Sequence, residues 1–100
     1  MTTREEPVAG RAVQGDAPEW EPLRRVVGED GLDTFMWMYE VELADGGRVH
    51  VYKHIETRRS MHLDLRGNAY AYAGDEGYRR VPLLAVAAAV LGRAREGIVA

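Results

Sequence analysis

The segment TFMWMYEVELADGGRVHVYKHIE, residues 34–56, constrains the fold more than any other part of the chain. Phe35, Trp37, Tyr39, Val41 and Leu43 alternate with Met36, Met38, Glu40 and Glu42. Successive side chains of a strand point to opposite faces, so the first set reads as a buried face and the second as an outer one. Asp45-Gly46-Gly47 is turn chemistry, and Val49, Val51 and Ile55 resume the pattern beyond it. Together they predict a β-hairpin. A three-residue loop with glycine in the left-handed position pairs Ala44 with Arg48, which sets Leu43 against Val49, Val41 against Val51 and Trp37 against Ile55. A two-residue loop sets Val41 against His50 and mixes the faces, so it is rejected.

A second hairpin follows. Met61, Leu63 and Leu65 share one parity, and Tyr70 and Tyr72 resume it after Gly67-Asn68. Looping at Thr57-Arg58-Arg59 pairs Ile55 with Met61 and Lys53 with Leu63, and the Gly67-Asn68 turn pairs Leu65 with Tyr70. Lys53 then lies among apolar neighbours, with its stem at the core edge and its ammonium in water. Tyr78-Arg79-Arg80-Val81 adds a short fifth strand. Ahead of the hairpins, Trp20, Leu23 and Val27 form one stripe closed by Gly28, predicting a short helix at about 18–27. Behind them, Pro82 opens a helix with Leu83, Ala87, Val90, Leu91 and Ala94 on one face. Residues 1–17 have no apolar period and read as a disordered tail; 18–100 read as one small domain. The expected fold is α+β: an antiparallel four- to five-stranded β-meander, a C-terminal helix packed on one face and a short N-terminal helix.

Composition excludes several chemistries. The chain has no cysteine, which removes disulfides, thiolate nucleophiles, Cys-type zinc sites and iron–sulfur clusters. The longest apolar run, VPLLAVAAAVL, is too short to span a bilayer, and the N-terminus lacks an apolar signal core. A cytoplasmic protein without membrane contact is expected. The formal net charge is −3. Residues 1–47 carry four arginines against eleven acids, whereas residues 48–66 carry five basic residues against two acids. An acidic half beside a basic hairpin either satisfies itself or offers a basic surface to an anionic partner.

The expected pairing gathers polar side chains on the outer face. Met38, His54 and His62 form one row across three strands, Glu40, Tyr52 and Asp64 a second, and Glu42, His50 and Arg66 a third. Facing side chains in such rows have Cβ atoms about 4.5–5.5 Å apart, so His54 and His62 meet the distance for a shared metal, with Asp64 or Glu40 as a third ligand. The same groups suit acid–base chemistry, but an open face neither shifts pKa values nor excludes water. Arg58 and Arg59 occupy a solvated loop. The expected binding residues are Met36, Met38, Tyr52 and His54, together with Arg58, Arg59, His62 and Arg66. The expected function is a non-catalytic binding or regulatory module acting on a protein partner or a second copy of itself. An anionic ligand or nucleic acid is a weaker partner, since one exposed aromatic and an acidic chain disfavour stacking on bases. The alternatives are a small enzyme or metal protein built on the His54/His62 row, and a structural homodimer without ligand. No catalytic residue, metal ligand or cofactor is assigned.

Overall fold

The computed structural model describes the backbone of residues 7–13 and 18–99, with side chains as far as 91. Six strands form one antiparallel sheet in chain order: β1 (Gly10–Val13), β2 (Phe35–Leu43), β3 (Arg48–His54), β4 (Ser60–Asp64), β5 (Ala69–Tyr72) and β6 (Tyr78–Val81). Helix α1 (Glu21–Gly31) joins β1 to β2, and α2 (Leu83–Val99) follows β6. The α+β class and the antiparallel meander are as expected; the strand count is six rather than four to five.

The additional strand is β1, inside the stretch expected to be a tail. Residues 1–6 and 14–17 of that stretch, and Ala100 of the expected domain, lie outside the described residues. Nothing in GRAV marks a strand by alternation, and context makes it one. Gly10 faces Leu43, Ala12 faces Val41, and a Cβ on Gly10 would stand 2.8 Å from Val41 Cγ1 and 3.0 Å from the Tyr78 ring. The missing side chain is what lets the backbone lie against that cluster.

The sheet curls into a half-barrel. Val8 and Tyr78 exchange both backbone hydrogen bonds, at 2.7 Å each, so the segment entering β1 is tied to β6 at the far side of the meander. Gly77 makes the approach possible. Its φ is +101°, and a Cβ there would stand 2.3 Å from the Val8 carbonyl oxygen.

Each face of the curled sheet carries a buried cluster, where a cluster on one face was expected. Leu23 of α1 and Val90 of α2 pack with Phe35, Tyr52, Met61 and Leu63 on the convex face. Val41, Leu43, Val49, Val51 and Tyr78 fill the concave face, with Val8 and Tyr70 against them. Strand β3 is therefore buried almost continuously from Val49 to Tyr52, as in strands covered on both sides.

The pairing corrects the expected scheme in four places. The β2–β3 loop lies one residue earlier: Leu43 N donates to Gly47 O, and Val41 faces Val49 rather than Val51. Gly46, at φ +97°, supplies the left-handed position. An irregularity between Trp37 and Tyr39 then leaves Met38 as an extra residue and turns Trp37 and Phe35 onto the convex face, opposite Tyr52 and His54. Finally, β4 meets β3 with Met61 against Tyr52 and Leu63 against His50, and β5 meets β4 with Tyr70 against His62. These last two differ from the expectation by an odd number of residues, and an odd shift moves every side chain of a strand to the other face.

The helices close the convex side. Pro22 lies in the first turn of α1 and Leu23 is fully buried. The expected stop at Gly28 is a break instead, at φ +80° and ψ 172°, after which the chain resumes a helical course to Gly31. Helix α2 begins just after Pro82 and presents Leu83, Val86, Val90 and Leu91 to the core. Ala94 lies beyond the described side chains. Among the described residues no helix is long and apolar enough to cross a membrane.

Candidate functional site

The odd shift between β3 and β4 dissolves the expected histidine row. His54 points to the convex side and is 3% exposed, whereas His62 lies on the concave side opposite Val51. His54 Nδ1 accepts from the backbone N–H groups of Glu56 (3.1 Å) and Thr57 (3.2 Å), and Phe35 meets its ring edge-on at 4.8 Å. His54 therefore caps the β3–β4 turn. Thr57 ties that turn to α2 by donating to the Val90 carbonyl at 2.7 Å. Tyr52, expected on the wet face, is fully buried; its hydroxyl donates to the Glu19 carbonyl, and burial pushes the phenol far above its usual range. His50 is buried too, and its Nδ1 accepts from Trp37 Nε1 at 3.2 Å. Burial lowers its pKa, outweighing the nearby charge of Glu40. The rows expected around Tyr52 and His50 fall with the same register. Among the described residues, no group of three or more His, Asp or Glu side chains comes together to hold a metal ion.

The remaining expected binding residues are on the surface. Met36, Met38, Arg58, Arg59 and Arg66 are exposed. Arg58 adopts φ +65°, the one left-handed non-glycine among the described residues, because the turn from His54 to Arg59 requires that sense of rotation. Lys53 is half-buried at the end of β3, opposite Met36.

The concave face carries a group that the sequence reading placed elsewhere. Tyr78 stands 5.2 Å from Tyr72 and 5.6 Å from His62, ring centre to ring centre. Burial raises the Tyr78 phenol, and the neighbouring Tyr39 and Tyr72 add to the effect. Tyr72 is 64% exposed, Met36 46% and Tyr39 39%. Tyr52 and Tyr70 donate their hydroxyls to protein acceptors; among the described residues those of Tyr39, Tyr72 and Tyr78 have none. Burial lowers the His62 pKa, so its ring is an uncharged part of this aromatic group near neutral pH.

Toward the β2–β3 and β4–β5 turns, the same face opens into a cleft of about 630 Å³ whose lining includes Arg48, Asp64, Arg66, Tyr70, Tyr78 and Arg80. Asp64 organises it. One carboxylate oxygen accepts from the backbone N–H groups of Arg66 and Asn68, both at 2.9 Å; the other accepts from Asn68 Nδ2 at 3.1 Å and the Tyr70 hydroxyl at 3.0 Å. Burial alone would raise the Asp64 pKa, but these bonds prevail and hold it below the usual carboxylate value. Arg80 donates to Asn68 Oδ1 at 3.0 Å. Arg48 is engaged elsewhere, paired with Glu40 at 2.6 Å.

Of the expected residues, the structure brings Met36 and His62 to the aromatic side of the concave face and Arg66 to the cleft. Arg58 and Arg59 remain on the β3–β4 turn. Tyr39, Tyr72, Tyr78 and Arg80 were missed as site residues. A single-core scheme absorbed Tyr39 and Tyr72 into the core and gave Tyr78 and Arg80 no face. Comparison with protein-family models, curated proteins and solved structures yields no match.

Proposed function

We propose that this chain is a non-catalytic binding module whose partner, another protein, lies along the concave face of the half-barrel. One observation carries the reading. Tyr72 and Tyr39 are exposed beside Tyr78 on the sheet face that no helix covers, with Met36 exposed on the same face, and among the described residues these tyrosine hydroxyls have no protein acceptor. Tyrosine supplies large contact area at small entropic cost and one polar end; tyrosine, methionine and arginine are enriched where proteins meet. The titratable groups support binding over chemistry. His50, His54 and Asp64 are occupied as acceptors in turns and packing, and Glu40, the carboxylate across from His50, is paired with Arg48. The cytoplasmic setting expected from the sequence belongs to this proposal, and cell fractionation tests it.

The test is affinity capture with parent and Tyr39→Ala/Tyr72→Ala protein side by side. Both side chains are substantially exposed, so the variant should keep its fold. A specific partner should be recovered by the parent and by a Leu84→Ala control, whose altered residue is 82% exposed on α2, and lost from the tyrosine variant. Recovery of the same partner by all three proteins would remove the concave face from consideration.

A further inference from the structure

We infer that the cleft at the turn end of the concave face holds a carboxylate of the bound partner between Arg66 and Arg80. The inference rests on the binding reading above and names the group that such a partner presents.

The polar groups of the cleft divide into those already used and those left over. Arg48 is matched by Glu40. Asp64 receives four hydrogen bonds from the protein. The Asn68 amide is consumed between Asp64 and Arg80. One oxygen of Asp45 closes its own turn by accepting from Gly47 N at 2.9 Å. Among the described residues, Arg66 and Arg80 form no ion pair; Arg80 has only the uncharged Asn68 carbonyl. Each guanidinium has five N–H donors in a planar fork, so most remain free, and that fork matches a carboxylate.

The charge count selects the kind of anion. With Arg48 neutralised by Glu40, the lining sets Arg66 and Arg80 against Asp45 and Asp64 and carries no net charge. A bound carboxylate then leaves a single negative charge uncompensated, and a phosphoryl dianion leaves more, so the monoanion is favoured. Tyr78 joins this cleft to the aromatic group, because it lines the one and stands 5.2 Å from Tyr72 in the other. A peptide lying on the tyrosines therefore runs toward the cleft, and its acidic residue or its terminal carboxylate enters between the two arginines. The partner is an acidic segment with apolar or aromatic residues beside the acid.

Small probes test the cleft apart from any protein partner. The full chain, labelled with ¹⁵N, is titrated with the α-amide of N-acetylglutamate, whose carboxylate is on a side chain, and with N-acetylalanine, whose carboxylate is terminal. Inorganic phosphate and sodium chloride at matched ionic strength are the controls. Saturable shifts at the Gly46, Gly67 and Asn68 amides with either carboxylate are expected, and the tighter probe names the source. Arg66→Gln and Arg80→Gln should each weaken binding by about tenfold or more, the loss expected for a charge-assisted hydrogen bond, with circular dichroism and melting unchanged. Arg79→Gln, whose arginine pairs with Glu76, should bind as the parent does. Shifts no larger than with chloride, tighter binding of phosphate than of both carboxylates, or full affinity in Arg66→Gln and Arg80→Gln would overturn the inference. Tyr39→Ala/Tyr72→Ala should leave probe binding intact. Probe binding with unaltered partner capture in that variant defeats the tyrosine reading alone. Lost capture without probe binding defeats the cleft alone.

Discussion

At the scale of single residues, His50 and His62 favour the neutral imidazole. His50 and His62 both have pKa values lowered by burial, so the unfolded chain binds protons before the folded one does. Stability then rises with pH across that interval. It is complete above the unfolded value of about 6.5 and falls as the solution is acidified below it. Protonating His50 also removes the acceptor of the Trp37 indole. Asp64 adds a separate loss at lower pH: its folded pKa is depressed, so its contribution is present above about 3.9 and declines below that. Denaturant unfolding at a series of pH values should show the first decline starting near pH 6.5, and His62→Gln should make it shallower. A flat profile between pH 7.5 and 5 would contradict the histidine assignments. Arg58 offers a second test. A left-handed β-branched residue is strained, so Arg58→Val should lower stability by about 1–2 kcal/mol, whereas Arg58→Gly should change it by no more than about 0.5 kcal/mol, relief of strain offsetting the freer unfolded chain.

Among the elements, β2 shows how much of this fold was legible and where legibility ended. Its alternation correctly announced a strand, and DGG correctly announced a turn. The extra residue at Met38 was not legible, because a bulge is a property of the pair of strands and leaves no mark in one strand's pattern. The same holds for the β3–β4 and β4–β5 pairings. Requiring one apolar face selected a self-consistent register that was wrong, since Val49 and Val51 serve one core and Tyr52, Met61 and Leu63 the other. A two-sided sheet removes the polarity contrast on which register inference depends. Site prediction inherited that error: Tyr52 and His54, expected on an open face, are buried packing and turn residues, whereas the named arginines and methionines are exposed. The bulge itself can be tested. Met38→Ala should alter stability by no more than about 0.5 kcal/mol, as for an ordinary surface change. Deleting Met38 should leave the chain unfolded by circular dichroism, because it forces Phe35 and Trp37 out of the helix-covered core or Val41 and Leu43 out of the concave one. A deletion variant that folds with near-parental stability would refute the bulge.

For the molecule as a whole, the junction of Val8 with Tyr78 decides whether the sheet is open or curled. Removing residues 1–13 withdraws β1 and the Val8 contact from Val41, Leu43 and Tyr78, so the truncated chain should melt well below the parent and bind hydrophobic dyes. A melting temperature unchanged by the truncation would mean that the concave core does not need β1. Gly77→Ala attacks the same junction from the other side. The added methyl meets the Val8 carbonyl at a positive φ, and the cost should exceed about 1 kcal/mol.

The position of that junction also fixes an order of events. The β2–β3 hairpin joins neighbours in sequence, while Val8 and Tyr78 can meet only after four further strands are aligned between them. Closing so long a loop is entropically costly before the intervening pairs exist. Closure therefore belongs on the native side of the rate-limiting barrier, and a defect there should act on escape rather than on arrival. In stopped-flow measurements, Gly77→Ala should steepen nothing and slow nothing in refolding, yet raise the unfolding rate by nearly the whole loss of stability. The seam would then serve as the latch that sets how long the folded molecule lives, with little influence on how fast it is made.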